Sequence, residues 1–123
     1  MKLRINNEQW DIGSIEELSL LLDVMESKSP LEAWLQVAAG PALSILRQAQ
    51  HSFMMYLRAE GDSGFTTRGA TDAVGSVPFT LANGQIDEYP VSWCVPLEEC
   101  FRALAYFCVN NGEPYPHVQW HQD

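Results

Sequence analysis

The chain has 123 residues, 46% of them hydrophobic, and 16 acidic against 7 basic side chains give a formal charge of -9. That length and apolar fraction predict one domain over residues 1–123 with a substantial core. The acid excess argues against direct nucleic-acid binding, which needs a basic surface for phosphates, and favours a basic partner.

Residues Lys2 to Ile12 read as a strand or short hairpin, with Asn6-Asn7 as the turn. Ser14 followed by Glu17 has the spacing of a capping box and opens a helix. Ile15, Leu18, Leu21, Leu22 and Met25 form its apolar stripe, and Glu16, Glu17, Asp23 and Glu26 its wet face. Pro30 disfavours a helical Ser29 and ends the element. The period then changes to two. Residues 32–38, 43–47 and 53–58 alternate between faces and are separated by short turns, which predicts an antiparallel meander.

Phe65 to Arg68 is a further short strand, and residues 69–75 are small and polar, as in a loop. Val77 to Leu81 and Val91 to Val95 are candidate strands on either side of a loop from Ala82 to Tyr89. Pro96 and the acids Glu98 and Glu99 suit the start of a second helix. Its stripe is Leu97, Cys100, Phe101, Leu104, Ala105 and Cys108, and Gly112 with Pro114 and Pro116 ends it. A last short strand contains Trp120, expected to be largely buried. Two amphipathic helices and this series of strands predict an α+β fold: a mainly antiparallel sheet with both helices packed on one face.

Leu18 to Met25 is too short to span a bilayer, and the N-terminal residues lack the apolar core of a signal peptide. No membrane partner and a cytoplasmic location are therefore expected. Cys94, Cys100 and Cys108 are odd in number. The last two lie about 12 Å apart along one helix at 1.5 Å per residue, too far to bridge. Free thiols fit a reducing compartment.

Candidate chemistry is sparse. His117 and His121 could share a metal on a helix, but on a strand they are about 13 Å apart. Cys94 with His51 or His117 would make a nucleophile and base only if the fold brought them together. Phosphate loops, dinucleotide fingerprints and zinc signatures are missing from the sequence. The expectation is no catalytic residue, no metal and no cofactor.

Charge is the remaining signal. From Ala59 to Glu99 there are seven acids against one base, Arg68. Glu98 and Glu99 are accounted for by the helix dipole. Glu60, Asp62, Asp72, Asp87 and Glu88 fall in predicted loops, and Tyr89 adds an aromatic anchor. These six are the candidate partner-binding residues, since aromatic anchors supply affinity and charge supplies association rate.

The run from Phe53 to Gly69, the Gly112-Glu-Pro turn and Val118-Gln-Trp120 together resemble a family of bacterial immunity proteins over about Leu31 to His121. It is the first numbered immunity family of polymorphic toxin systems, which includes inhibitors of cytidine-deaminase toxins. The resemblance implies a small α+β protein without enzymatic activity that binds a cognate toxin in the cytoplasm and blocks its active site. It also implies scaffold roles for Gly61, Gly69, Gly112, Pro114 and Trp120. Pro96 departs from the family's hydroxyl helix cap, and the segment 69–77 is longer and less aromatic than the family's. The alternative expectation is a small-molecule-binding or thiol-dependent enzyme with a pocket between sheet and helices.

Overall fold

The computed structural model of the chain describes residues 1–69 and 72–123. The N-terminal segment is a hairpin of β1 (Lys2–Ile5) and β2 (Glu8–Asp11), with Ile5 opposite Glu8 and Asn6 at φ 52° in the turn. Asparagine tolerates that left-handed conformation better than most residues, which suits a two-residue hairpin turn. Helix α1 (Ile15–Glu26) follows. Ser14 Oγ accepts the Glu17 N–H at 3.2 Å, and Glu17 Oε2 accepts the N–H of Gly13, also at 3.2 Å. The return bond of the cap thus falls one residue before Ser14.

Strands β3 (Leu31–Gln36), β4 (Ala42–Gln48) and β5 (His51–Leu57) form the expected meander, and β6 (Phe65–Arg68) extends it. Among the described residues, strand β7 (Ser76–Thr80) and β8 (Ile86–Pro90) pair only with each other. Helix α2 (Leu97–Val109) leads to β9 (Gln119–Gln122), which returns to pair with β6. The main sheet has seven antiparallel strands in the order β2-β1-β3-β4-β5-β6-β9, and β7-β8 is a separate two-stranded ribbon. The fold is α+β, with both helices on one face of the main sheet.

Register explains which residues line each face. Leu3, Leu35, Leu43 and Tyr56 stand in one row across β1, β3, β4 and β5, and Ala33, Ile45 and Met54 in the next. They pack with Leu18 and Met25 of α1 and Cys100, Ala103, Leu104 and Phe107 of α2. In α2 the fully buried positions are centred on Ala103 and Phe107, while Phe101 and Cys108 are only partly buried. The stripe is turned slightly from the one the sequence predicts. Trp120 is half-buried against this core, 6.0 Å from Tyr56 between ring centroids, with its indole N–H donating to the Tyr115 carbonyl at 2.9 Å. It is less enclosed than the sequence suggests, because β9 is the edge of the sheet.

The opposite face carries a second, smaller core. Leu46 and Phe53 project to that side and meet Val77 and Phe79 of the ribbon, with Tyr89, Val91, Trp93 and Cys94 around them. Here two expectations are corrected. Residues 91–95 are not a strand: Val91–Trp93 is a turn of 3-10 helix. The second ribbon strand lies earlier, within the segment read as a loop. The Asn83-Gly84 turn is tight, with the Leu81 N–H donating to the Gln85 carbonyl at 2.8 Å and Gly84 at φ 90°. The chain therefore reverses by Gln85, and Ile86 is already opposite Thr80.

Candidate functional site

Asp87 and Glu88 lie on β8 rather than in a loop, so alternation sends them to opposite sides. Asp87 stands opposite Phe79 and is half-buried; it accepts a hydrogen bond from Gln85 Nε2 at 2.7 Å and faces the Tyr89 hydroxyl at 3.5 Å. Glu88 stands opposite Pro78 and is exposed. Tyr89 is not a free-standing anchor. Its ring centroid is 4.8 Å from that of Phe53 and 5.7 Å from that of Trp93, inside the second core. Burial, followed by the nearby Asp87 carboxylate, raises its phenol pKa above the usual value.

The ribbon is held to the sheet at its tip. Glu32 accepts the Ala82 N–H at 3.0 Å, Trp34 Nε1 at 2.9 Å and Arg4 Nη2 at 3.0 Å. Gln48 Oε1 accepts the Thr80 N–H at 3.1 Å. At the other end, the Gly69 N–H donates to the Ser92 carbonyl at 2.7 Å. The ribbon therefore presents Asp87 and Glu88 from a fixed platform. Asp72 is exposed on the segment leading to it; residues 70 and 71 of the expected loop 69–75 lie outside the described residues.

Glu60 and Asp62 lie elsewhere. Their turn follows Leu57, at the opposite end of β5 from His51, where Gln48 meets the ribbon. Seven strand residues separate these ends by about 20 Å at 3.4 Å per residue. Glu60 is exposed, whereas Asp62 is committed to Arg58. Asp62 Oδ2 accepts from Arg58 Nε and from the Arg58 backbone N–H, both at 2.9 Å, and Oδ1 accepts from Nη2 at 2.8 Å. These hydrogen bonds hold the Asp62 carboxyl far below the usual carboxylate range. Asp87, Glu88 and Tyr89 on the ribbon are thus separated from Glu60 and Asp62 at the other end of the sheet, and sequence reasoning missed the pairing that ties up Asp62. The Arg58 four positions before it was the available signal.

The thiols are turned inward. Cys100 is buried, with Sγ 3.8 Å from Ser52 Oγ, and burial pushes its pKa up to about 12. Burial also raises Cys94 and Cys108. Among the described residues no hydrogen bond joins Cys94 to a histidine, and no group of three His, Cys, Asp or Glu side chains could hold a metal ion. His117 and His121 are both exposed, before and within β9. One cleft of about 110 Å³ lies between the sheet and the ribbon, lined by residues that include Trp34, Phe53 and Tyr89, and another of about 410 Å³ lies between the start of α2 and the β6-β9 edge, lined by residues that include Arg68, Glu99 and His117. No helix among the described residues is long and apolar enough to cross a membrane.

What the arrangement offers is a rigid scaffold carrying exposed carboxylates at two ends of one sheet. Residues 6–122 match the family model described as Immunity protein Imm1. No curated protein matches the chain.

Proposed function

Since this chain belongs to the Imm1 family of immunity proteins, we propose that it neutralises a basic toxin that acts on nucleic acid, deaminases among them, by occluding the toxin's active-site cleft. Family membership carries the toxin-immunity role and the cognate toxin as partner. The surface charge supports the finer reading: a cleft shaped for phosphate is cationic, and the chain bears a charge of -9. In this reading the protein acts stoichiometrically in the cytoplasm, without catalysis, cofactor or direct contact with nucleic acid or membrane.

The proposed contact residues are Glu60, Asp62, Asp72, Asp87, Glu88 and Tyr89. Their roles differ. Glu60, Asp72 and Glu88 are exposed and steer association; Asp87 and Tyr89 shape the ribbon edge; Asp62 fixes its own turn through Arg58. The test is binding to the product of the neighbouring toxin gene at two salt concentrations. The parent protein should bind and abolish toxin activity, and the Asp87→Asn, Glu88→Gln double variant should associate more slowly with a weaker salt dependence. Failure of the parent to bind any adjacent gene product would overturn the immunity reading.

A further inference from the structure

A second concave feature lies at the end of the sheet remote from the ribbon. It is a cleft of about 340 Å³ lined by Tyr56, Arg58, Phe65, Glu113, Pro114 and Trp120. Its volume is at the lower end of ligand sites, roughly 300–1,000 Å³. Three aromatic rings from β5, β6 and β9 meet there, with Tyr56 6.3 Å from Phe65 and 6.0 Å from Trp120 between centroids. Their polar atoms are already used. The Tyr56 hydroxyl donates to the Gly112 carbonyl at 2.8 Å, and the Trp120 indole N–H donates to Tyr115. Tyr56 is only 8% exposed, so the half-buried Trp120 and Phe65 rings supply most of the aromatic surface of the cleft.

The chain itself shows what such rings attract. The Arg58 guanidinium lies 5.1 Å from the Phe65 ring centroid, its charge matched by Asp62. With that pair neutral, the remaining carboxylate in the lining is Glu113, which is exposed, and the exposed Glu60 lies on the adjoining turn. Negative ring faces beside unmatched carboxylates are complementary to a cation on an apolar stem.

We propose that this cleft receives an arginine side chain of the partner toxin, with its guanidinium against the Trp120 ring and its charge matched by Glu113. The assignment rests on the immunity reading for the identity of the partner, though not for the chemistry of the cleft. A basic toxin would then be held at a second point, remote from the ribbon acids. Two separated contacts on one rigid sheet fix orientation as well as affinity.

The cleft can be tested without the toxin. N-acetylarginine amide and its uncharged isostere N-acetylcitrulline amide are titrated separately into the isotopically labelled full chain, and the Trp120 indole N–H resonance is followed. The arginine compound should cause saturable shifts confined to the residues lining the cleft, Trp120 and Glu113 foremost, and bind about fivefold more tightly than the citrulline compound. Glu113→Gln should remove most of that preference; Glu113 is exposed, so the fold is not at risk. No shift at Trp120, or equal binding of the two compounds, would overturn the proposal. In a second measurement, Glu113→Lys should weaken toxin binding at least about fivefold. Unchanged toxin binding by that variant would also overturn the cleft assignment and leave the immunity reading standing. If the parent chain bound no toxin while the arginine compound still seated at Trp120, only the immunity reading would fall.

Discussion

The Glu32 carboxylate accepts the Ala82 backbone N–H at 3.0 Å, across 50 residues of chain, and so fastens the tip of the β7-β8 ribbon to the main sheet. The same carboxylate also accepts from Trp34 Nε1 and Arg4 Nη2. Replacing it with alanine leaves three donors without that acceptor. Loss of a buried partner costs about 1–3 kcal/mol. Glu32→Ala should therefore lower the denaturant midpoint by that order. Amide exchange in residues 76–90 should quicken more than in β4 and β5; uniform acceleration across the sheet would show that the ribbon does not open separately.

Gly69 marks where the chain leaves the sheet, and a methyl group there would collide with the Cys94 carbonyl oxygen. That oxygen belongs to backbone, so relief requires moving the whole return segment. Gly69→Ala should destabilise the fold by roughly 1–3 kcal/mol, the cost of overpacking a tight site. Gly112→Ala should be at least as damaging, because Gly112 combines φ 91° with close approach to Pro41. Gly61→Ala meets no neighbouring atoms and pays only for φ 83°, so thermal melting of the three variants should rank it mildest.

The depressed Asp62 pKa gives a pH signature. The unfolded carboxyl titrates near pH 3.9. Because the folded value is lower, the contribution of Asp62 to stability is complete above about pH 4 and is lost as pH falls through the folded pKa. In Asp62→Asn this dependence is gone. Urea midpoints measured on descent below about pH 4 should fall more steeply for the parent than for the variant. Parallel curves would mean that Arg58 does not hold Asp62 in solution.

Cys100 supplies the opposite limb. Its folded pKa of about 12 exceeds that of an unfolded thiol, so stability should decline from about pH 8.5 upward until the folded group also ionises. At mildly alkaline pH, iodoacetamide should label Cys100 only as fast as the native chain opens. Mass spectrometry of native and urea-unfolded samples reads this directly, and rapid native labelling would contradict the burial.

Trp120 sits on the edge strand, half-buried. Trp120→Ala should cost no more than the roughly 3–5 kcal/mol of emptying a large aromatic core site. Trp120→Phe should recover most of it, since the indole N–H bonds only to the Tyr115 carbonyl. Thermal melts of both variants settle the order.

Much of the fold was legible in the sequence. The Ser14 cap, the period-two runs at 32–38, 43–47 and 53–58 and the Gly112 stop each correspond to observed elements. The first ribbon strand and its turn were legible, as Val77 to Leu81 and Asn83-Gly84, but the second strand was not. Ile86-Asp-Glu-Tyr-Pro90 carries two acids and a proline, all poor strand formers, and takes its shape from packing Tyr89 against Phe53 and Phe79. A signal for that packing did exist. Phe53-Met-Met-Tyr-Leu57 is apolar without interruption, and in the structure Ala42 through Leu46 and Ser52 through Met54 are buried on both faces. Unbroken burial requires something to cover the second face of the sheet. The separation of Asp87 and Glu88 from Glu60 and Asp62 was hidden because sequence distance says nothing of which end of a strand a turn occupies.

The bond from the Gly69 N–H to the Ser92 carbonyl joins the point where the chain departs from the sheet to the point where it comes back. The ribbon lies on the excursion between them, like a loop of rope cinched at its neck. Changes in the ribbon's composition need not alter the register of β6 or the start of α2. Under the contact proposed above, exposed ribbon positions such as Glu88 can be rewritten to follow a changing opponent, while Tyr89 and the sheet beneath it are inherited untouched.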